Sequence, residues 1–117
     1  MKDGLYRLRY QTATLNATGV VVLEAGQISG CDRYYFMVGS YHHDGSRITG
    51  KVGFSRHSSR HGLLSIIPKT FDLVFDGVAS DNFGQFNVHC PALPLIRGSA
   101  KFTWLAELNA KDCEPSD

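Results

Sequence analysis

The residues in this chain able to bind a metal or move a proton are its histidines, cysteines, aspartates and tyrosines, and their spacing limits what each can do. His57 and His61 sit in the near-repeat Ser-Arg-His-Ser-Ser-Arg-His. Two histidines four apart chelate a metal when a helix holds them on one face. Ser58, Ser59 and Gly62 support a helix poorly and no carboxylate lies nearby in sequence, so a solvated loop is the expectation. His42-His43 and His89-Cys90 are adjacent pairs, and neighbours on a strand point to opposite faces. Cys31, Cys90 and Cys113 are an odd set with no Cys-x-x-Cys spacing, which argues against a disulfide framework and a structural zinc site. Neither a metal nor a cofactor is expected.

Asp32 is the one candidate for acid–base work. It precedes Tyr34 and Tyr35, and with Tyr41 these residues are placed to line a barrel mouth. The competing role for such an aspartate is to cap a turn, with the tyrosines as wall and their hydroxyls satisfied. The chain has no Gly-x-Ser-x-Gly elbow, no phosphate-cradling glycine loop and no catalytic Cys/His signature. No catalytic residue is assigned, and the expectation is a protein that is not an enzyme.

The elements that would position these residues are short strands. Ile48, Gly50, Val52 and Phe54 alternate with Arg47, Thr49, Lys51 and Gly53, the period of a half-buried strand. The Asp-Gly pair in His43-Asp44-Gly45-Ser46 favours a tight hairpin before it. Similar alternation marks Leu5–Tyr10, Gly26–Asp32, Tyr34–Tyr41, Phe71–Val78, Phe86–Cys90 and Ala100–Leu108. Thr18–Glu24 is a continuous β-branched run, which suits a strand covered on both faces. Ser55–Pro68 and Pro91–Gly98 break the rhythm and are expected as irregular loops.

Eight strands with mostly brief turns, and no helices to carry parallel crossovers, predict an all-β fold: a small eight-stranded antiparallel up-and-down barrel. It is expected to span residues 1–108 as a single domain, with 109–117 a flexible polar tail. At 117 residues, 43% hydrophobic and 20% charged, the chain suits one globular core rather than disorder. A net charge of +1 gives no general drive toward nucleic acid or a membrane surface. MKDGLYRLRY lacks a signal-peptide core, and no apolar run approaches the about 18 residues that span a bilayer. A soluble cytoplasmic location is expected.

Between Asp44 and Asp72 there is no acidic residue, while Arg47, Lys51, Arg56, Arg60 and Lys69 all fall there. This stretch would suit an acidic protein surface, unless Asp72 and Asp76 on neighbouring strands balance it. Without a nucleic-acid module in the sequence, direct nucleic-acid binding is not expected.

Three segments carry a family resemblance: MKDGLYRLRYQT, GVVVLEAGQISGCDRYYFMVGSYHHDGSRITGKV and FDLVFDGVAS. Over roughly Met1 to Leu108 the chain resembles the GrlR-like family of negative regulators of type III secretion. That resemblance implies a lipocalin-like β-barrel that forms a homodimer and represses by binding a protein, a transcriptional activator in the founding members. Those members hold the activator through a run of consecutive acidic residues. The matching loop here, His42-His43-Asp44-Gly45-Ser46, keeps only Asp44.

The expected function is therefore regulatory binding of a protein partner such as a transcriptional regulator. Its contact residues would be His42, His43, Asp44, Ser46 and Arg47. Dimer contacts would come from the Val20–Leu23 strand or from the Leu63–Ile67 and Leu93–Ile96 segments. The alternative is a carrier or sensor of a small apolar ligand, its interior lined by Tyr35, Met37, Tyr41, Phe75, Phe102 and Trp104. A pocket of about 300 Å³ or more would favour the carrier, and a packed interior would count against it.

Overall fold

A computed structural model of the chain describes residues 1–13, 16–57 and 69–108. The eight strands are β1 (Gly4–Thr12), β2 (Asn16–Glu24), β3 (Gln27–Asp32), β4 (Tyr35–Asp44), β5 (Arg47–Arg56), β6 (Thr70–Ala79), β7 (Phe83–Cys90) and β8 (Leu93–Ala106). Each pairs antiparallel with the next, and β1 pairs with β8 from Leu5↔Ala106 to Thr12↔Gly98. The result is the closed up-and-down barrel expected from the alternation. Among the described residues no helix is long and apolar enough to cross a membrane.

Alternation decides which side chains go inside. Tyr6, Leu8 and Tyr10 of β1, Phe71, Leu73 and Phe75 of β6, and Phe86, Val88 and Cys90 of β7 are all buried. So are Ile48, Val52 and Phe54 of β5. Burying an aliphatic or aromatic side chain of this size stabilises by about 1.5–3 kcal/mol, so this single interior is the main source of stability.

Four details depart from the expectations. First, Thr18–Glu24 is not covered on both faces. Val21 and Leu23 are buried, while Val20 is exposed and Val22 half-buried, because a barrel wall has only one apolar side. Second, Pro91–Gly98 is not a loop: only Pro91 and Ala92 turn, and β8 starts at Leu93. Among the described residues its pairing with β1 begins at Gly98. On the β7 side the ladder jumps from Cys90↔Leu93 to His89↔Arg97, and proline is tolerated at such a bulge because no ladder donor is lost there. Third, the β1–β8 register shifts between Leu5 and Tyr6, where Ala106 turns out to solvent instead of continuing the inward series, and Leu108 lies exposed past the end of β8. Fourth, β5 runs on to Arg56, so Ser55 and Arg56 belong to a strand. Residues 58–68 of that expected loop, with Arg60, His61 and Leu63–Ile67, lie outside the described residues, as does the expected tail 109–117.

Two turns set the hairpins. Gly45 takes φ 65° at the first position of the Gly45-Ser46 turn, and the β2–β3 turn takes φ 51° at Ala25 and φ 79° at Gly26. Positive φ at both central positions matches the right-handed strand twist, but it crowds an alanine Cβ. Ala25→Asn is therefore expected to stabilise the fold by about 0.5–1 kcal/mol. The measurement is the urea midpoint at unchanged m-value, and a lower midpoint would show that Ala25 carries no strain.

Candidate functional site

The interior is filled. Its central void is about 30 Å³, the room of roughly one water, and its lining includes Met37, Leu73, Phe75 and Phe102. Rings close it from both sides. Tyr10, Tyr35, Phe54 and Phe71 form one layer, with Phe54 and Phe71 stacked 5.2 Å apart and Tyr35 edge-on to both. Tyr6, Phe75, Phe86, Phe102 and Trp104 form the other, with Phe86 and Phe102 centroids 5.0 Å apart. Of the residues expected to line a ligand pocket, Met37, Phe75 and Phe102 face this small void. Tyr35 is wholly buried in the first ring layer, while Tyr41 and Trp104 are half-buried and do not reach the void. Trp104 packs edge-on against Tyr6 and carries the Lys2 ammonium 4.0 Å above its ring.

Asp32 is buried at the β3–β4 turn. One of its carboxylate oxygens accepts from the backbone N–H groups of Tyr34 and Tyr35, each at 2.7 Å, and the other accepts from the Tyr10 hydroxyl. The His57 ring nitrogen lies 3.0 Å from the Asp32 carbonyl oxygen. The turn-capping role is thus the one this aspartate performs. It ties β1, β3 and β4 together at one end of the barrel.

The five residues expected to meet a partner, His42, His43, Asp44, Ser46 and Arg47, are all exposed around the β4–β5 hairpin. They do not form one free surface. Arg47 gives two bonds to the Asp76 carboxylate, at 3.0 and 2.7 Å, and Lys51 lies 3.6 Å from Asp72. The Arg47 contact holds the Asp76 carboxyl below its ordinary range. His43 packs its ring on Tyr41 and sits 3.0 Å from the N-terminal amine. Among the described residues His42 has no such contact. The basic stretch read from the sequence is therefore balanced, at Arg47 and Lys51, by the acids of β6.

The outer wall holds a feature that linear alternation concealed. Val20, Phe36 and Val38 are 43%, 47% and 62% exposed. The ladders align Val20 with Cys31 and Cys31 with Phe36, and in the next row Val22 with Ser29 and Ser29 with Val38. Across β5 the rows end on Ser55 and Gly53. These residues make one outward apolar panel on β2, β3 and β4, flattened by small neighbours. The sequence signal was the unbroken Val20-Val21-Val22 run, which an exposed barrel face does not require.

Removal of the Asp32 carboxylate orphans three donors. Asp32→Ala is expected to cost about 2–4 kcal/mol, and Tyr10→Phe about 1 kcal/mol. Tyr35 contrasts with both: its hydroxyl is the one buried side-chain polar atom without a partner among the described residues. Tyr35→Phe should leave stability unchanged or raise it. Chemical denaturation of the three variants checks this order, and a Tyr35→Phe loss as large as that of Asp32→Ala would refute it.

Burial is the main cause holding the Tyr6 phenol up at about 12, and burial together with the Asp32 contact raises Tyr10 as well. Unfolded tyrosines ionise near 10, so above that pH the unfolded chain loses protons before the folded one does. Stability is thus complete below pH 10 and falls as pH rises toward 12. An absorbance titration should show these phenols ionising together with loss of near-ultraviolet circular dichroism. Ionisation of every tyrosine near pH 10 with the fold intact would contradict the burial.

No family model matches this chain, and no curated protein matches it.

Proposed function

We propose that this barrel is a regulatory protein-binding module that works through its outer surface. It acts as a homodimer and a negative regulator, sequestering a protein partner such as a transcriptional activator. The observation that carries this reading is the apolar panel of Val20, Phe36 and Val38 over an interior already filled by its own side chains. Soluble proteins seldom leave adjacent large apolar side chains in water without a partner to cover them. The resemblance to GrlR-like regulators points the same way, toward binding without catalysis.

The panel suits a two-fold contact, since a flat apolar face is readily self-complementary. The hairpin residues His42, His43, Asp44 and Ser46 remain available to the regulated partner beside it. A central void of about 30 Å³ supports a surface-binding reading over the carrier alternative.

Phe36→Glu combined with Val38→Glu places charge in the panel without touching the core. Analytical ultracentrifugation should find the unaltered protein as a dimer at micromolar concentration and the double variant as a monomer with the same circular dichroism. A monomeric unaltered protein, or a variant that still dimerises, would remove the panel from this role.

A further inference from the structure

Closing the barrel brings together cations that lie far apart in the chain. β1 presents Arg7 and Arg9 outward, and β8 presents Arg97 and Lys101, all exposed. Arg9 stands opposite Lys101, Arg7 opposite Thr103 and Gln11 opposite Ser99. On the far side of β8, Lys101 faces Gln85, Ser99 faces Asn87 and Arg97 faces His89. Among the described residues no carboxylate projects from this wall. Among the described residues the ion pairs are Arg47–Asp76 and Lys51–Asp72, both on the β5–β6 side, so the four cations of β1 and β8 stand unpaired.

The acids are elsewhere by topology. Asp3, Glu24, Asp44, Asp81 and Glu107 cluster at the barrel end formed by the β2–β3, β4–β5 and β6–β7 turns and the end of β8. A near-neutral chain thus carries a segregated basic face, and the field outside it is set by unpaired charges rather than by net charge. Gly98 shapes the face. A Cβ at that position would run into the Gln11 carbonyl oxygen, so β1 and β8 approach closely there. Beside it lies a surface depression of about 530 Å³ lined by Asn87, His89, Arg97 and Gly98.

We propose that the β1–β8 wall is a docking surface for an extended acidic segment of a protein partner, held by Arg7, Arg9, Arg97 and Lys101. This rests on the reading of the molecule as a protein-binding module and names the chemistry of what it binds. Arg7 and Arg9 lie two residues apart on one strand, about 6.8 Å, which is the spacing of alternate side chains on an extended peptide. Carboxylates on alternate residues would meet them in register, and guanidinium groups pair with carboxylates bidentately. β1 and β8 themselves present no aromatic side chain outward among the described residues. The outward rings beside them are Phe83 opposite Thr103 and His89 opposite Arg97 on β7, too few and too far apart along the strand for the continuous stacking platform that single-stranded nucleic acid uses.

The probe is a fluorescently labelled synthetic peptide of about twelve residues alternating Glu and Thr, a length matched to the strands of the wall. Its anisotropy is followed with the full chain at low salt and at about 0.15 M salt. The peptide should bind at low salt and weaken as salt rises. Arg9→Glu with Lys101→Glu should weaken it by about tenfold or more. Arg33→Glu with Lys69→Glu, the same change in net charge away from the wall, should leave it within about twofold. If the charge-reversed wall variant loses its circular dichroism, Arg9→Gln with Lys101→Gln replaces it, with the same direction expected.

Absence of binding at low salt, equal weakening in both double variants, or equal binding of a Gln-for-Glu peptide would overturn the proposal. So would an oligothymidylate that binds as tightly as the peptide, since that would make the wall a nucleic-acid face. Dimerisation through Phe36 and Val38 is read separately in the ultracentrifuge. A failed wall with an intact panel therefore refutes this inference alone.

Discussion

The ladder that runs from Leu5–Ala106 to Thr12–Gly98 joins the first strand to the last and leaves the sheet no free edge. Antiparallel sheets that stay open must protect their edges with charge, proline or short strands. Here closure does that work, so β1 and β8 are free to carry exposed cations for other purposes. Closure also imposes one inside and one outside on every strand. A side chain can leave the interior only at a bulge, as happens between Leu5 and Tyr6, or at a strand end.

The size of that interior determines what the protein is able to hold. Eight strands enclose a volume that side chains can fill, or that one small ligand can occupy. In this chain five of the seven phenylalanines turn inward, and together with Tyr6, Tyr10 and Tyr35 they occupy the space. The two ring layers meet around a void of about 30 Å³. A barrel that spends its volume on its own aromatics gains a rigid frame and gives up a binding cavity. On the proposed reading, recognition falls to the outer wall and the turns.

Much of the frame was legible in the sequence because alternation and turn chemistry are local signals. Gly45 announced the β4–β5 hairpin, and the inward series of β1, β5, β6 and β7 followed from period two alone. Cross-strand relations were not legible. Asp72 and Asp76 could be named as balancing acids, but which cation meets which acid waited on the register. It sets Arg47 opposite Val78 and Lys51 opposite Val74, each one diagonal step from Asp76 or Asp72. Arg7, Arg9 and Lys101 looked unremarkable, since some ninety residues separate β1 from the strand beside it. Pro94 suggested a loop, yet it lies in β8 at the irregularity between the Cys90–Leu93 and His89–Arg97 pairs. Local patterns report faces, while the pairing of charges depends on which strands become neighbours.

The apolar panel and the basic wall are adjacent. Val20 of β2 pairs with Arg7 of β1, so the boundary between them is a single row of the sheet. Apolar burial supplies affinity with little directional demand, whereas exposed charges act mainly on encounter rate and orientation. A partner that covers Val20 brings its next surface within reach of Arg7, and a carboxylate there completes a contact that begins apolar and ends charged. Cations already engaged with Asp72 and Asp76 on the β5–β6 side contribute little to such an encounter, because each is screened by its own acid. The β6 acids thus take Arg47 and Lys51 out of the charge available to a partner, while Arg7 and Arg9 beside the panel have no such acid among the described residues.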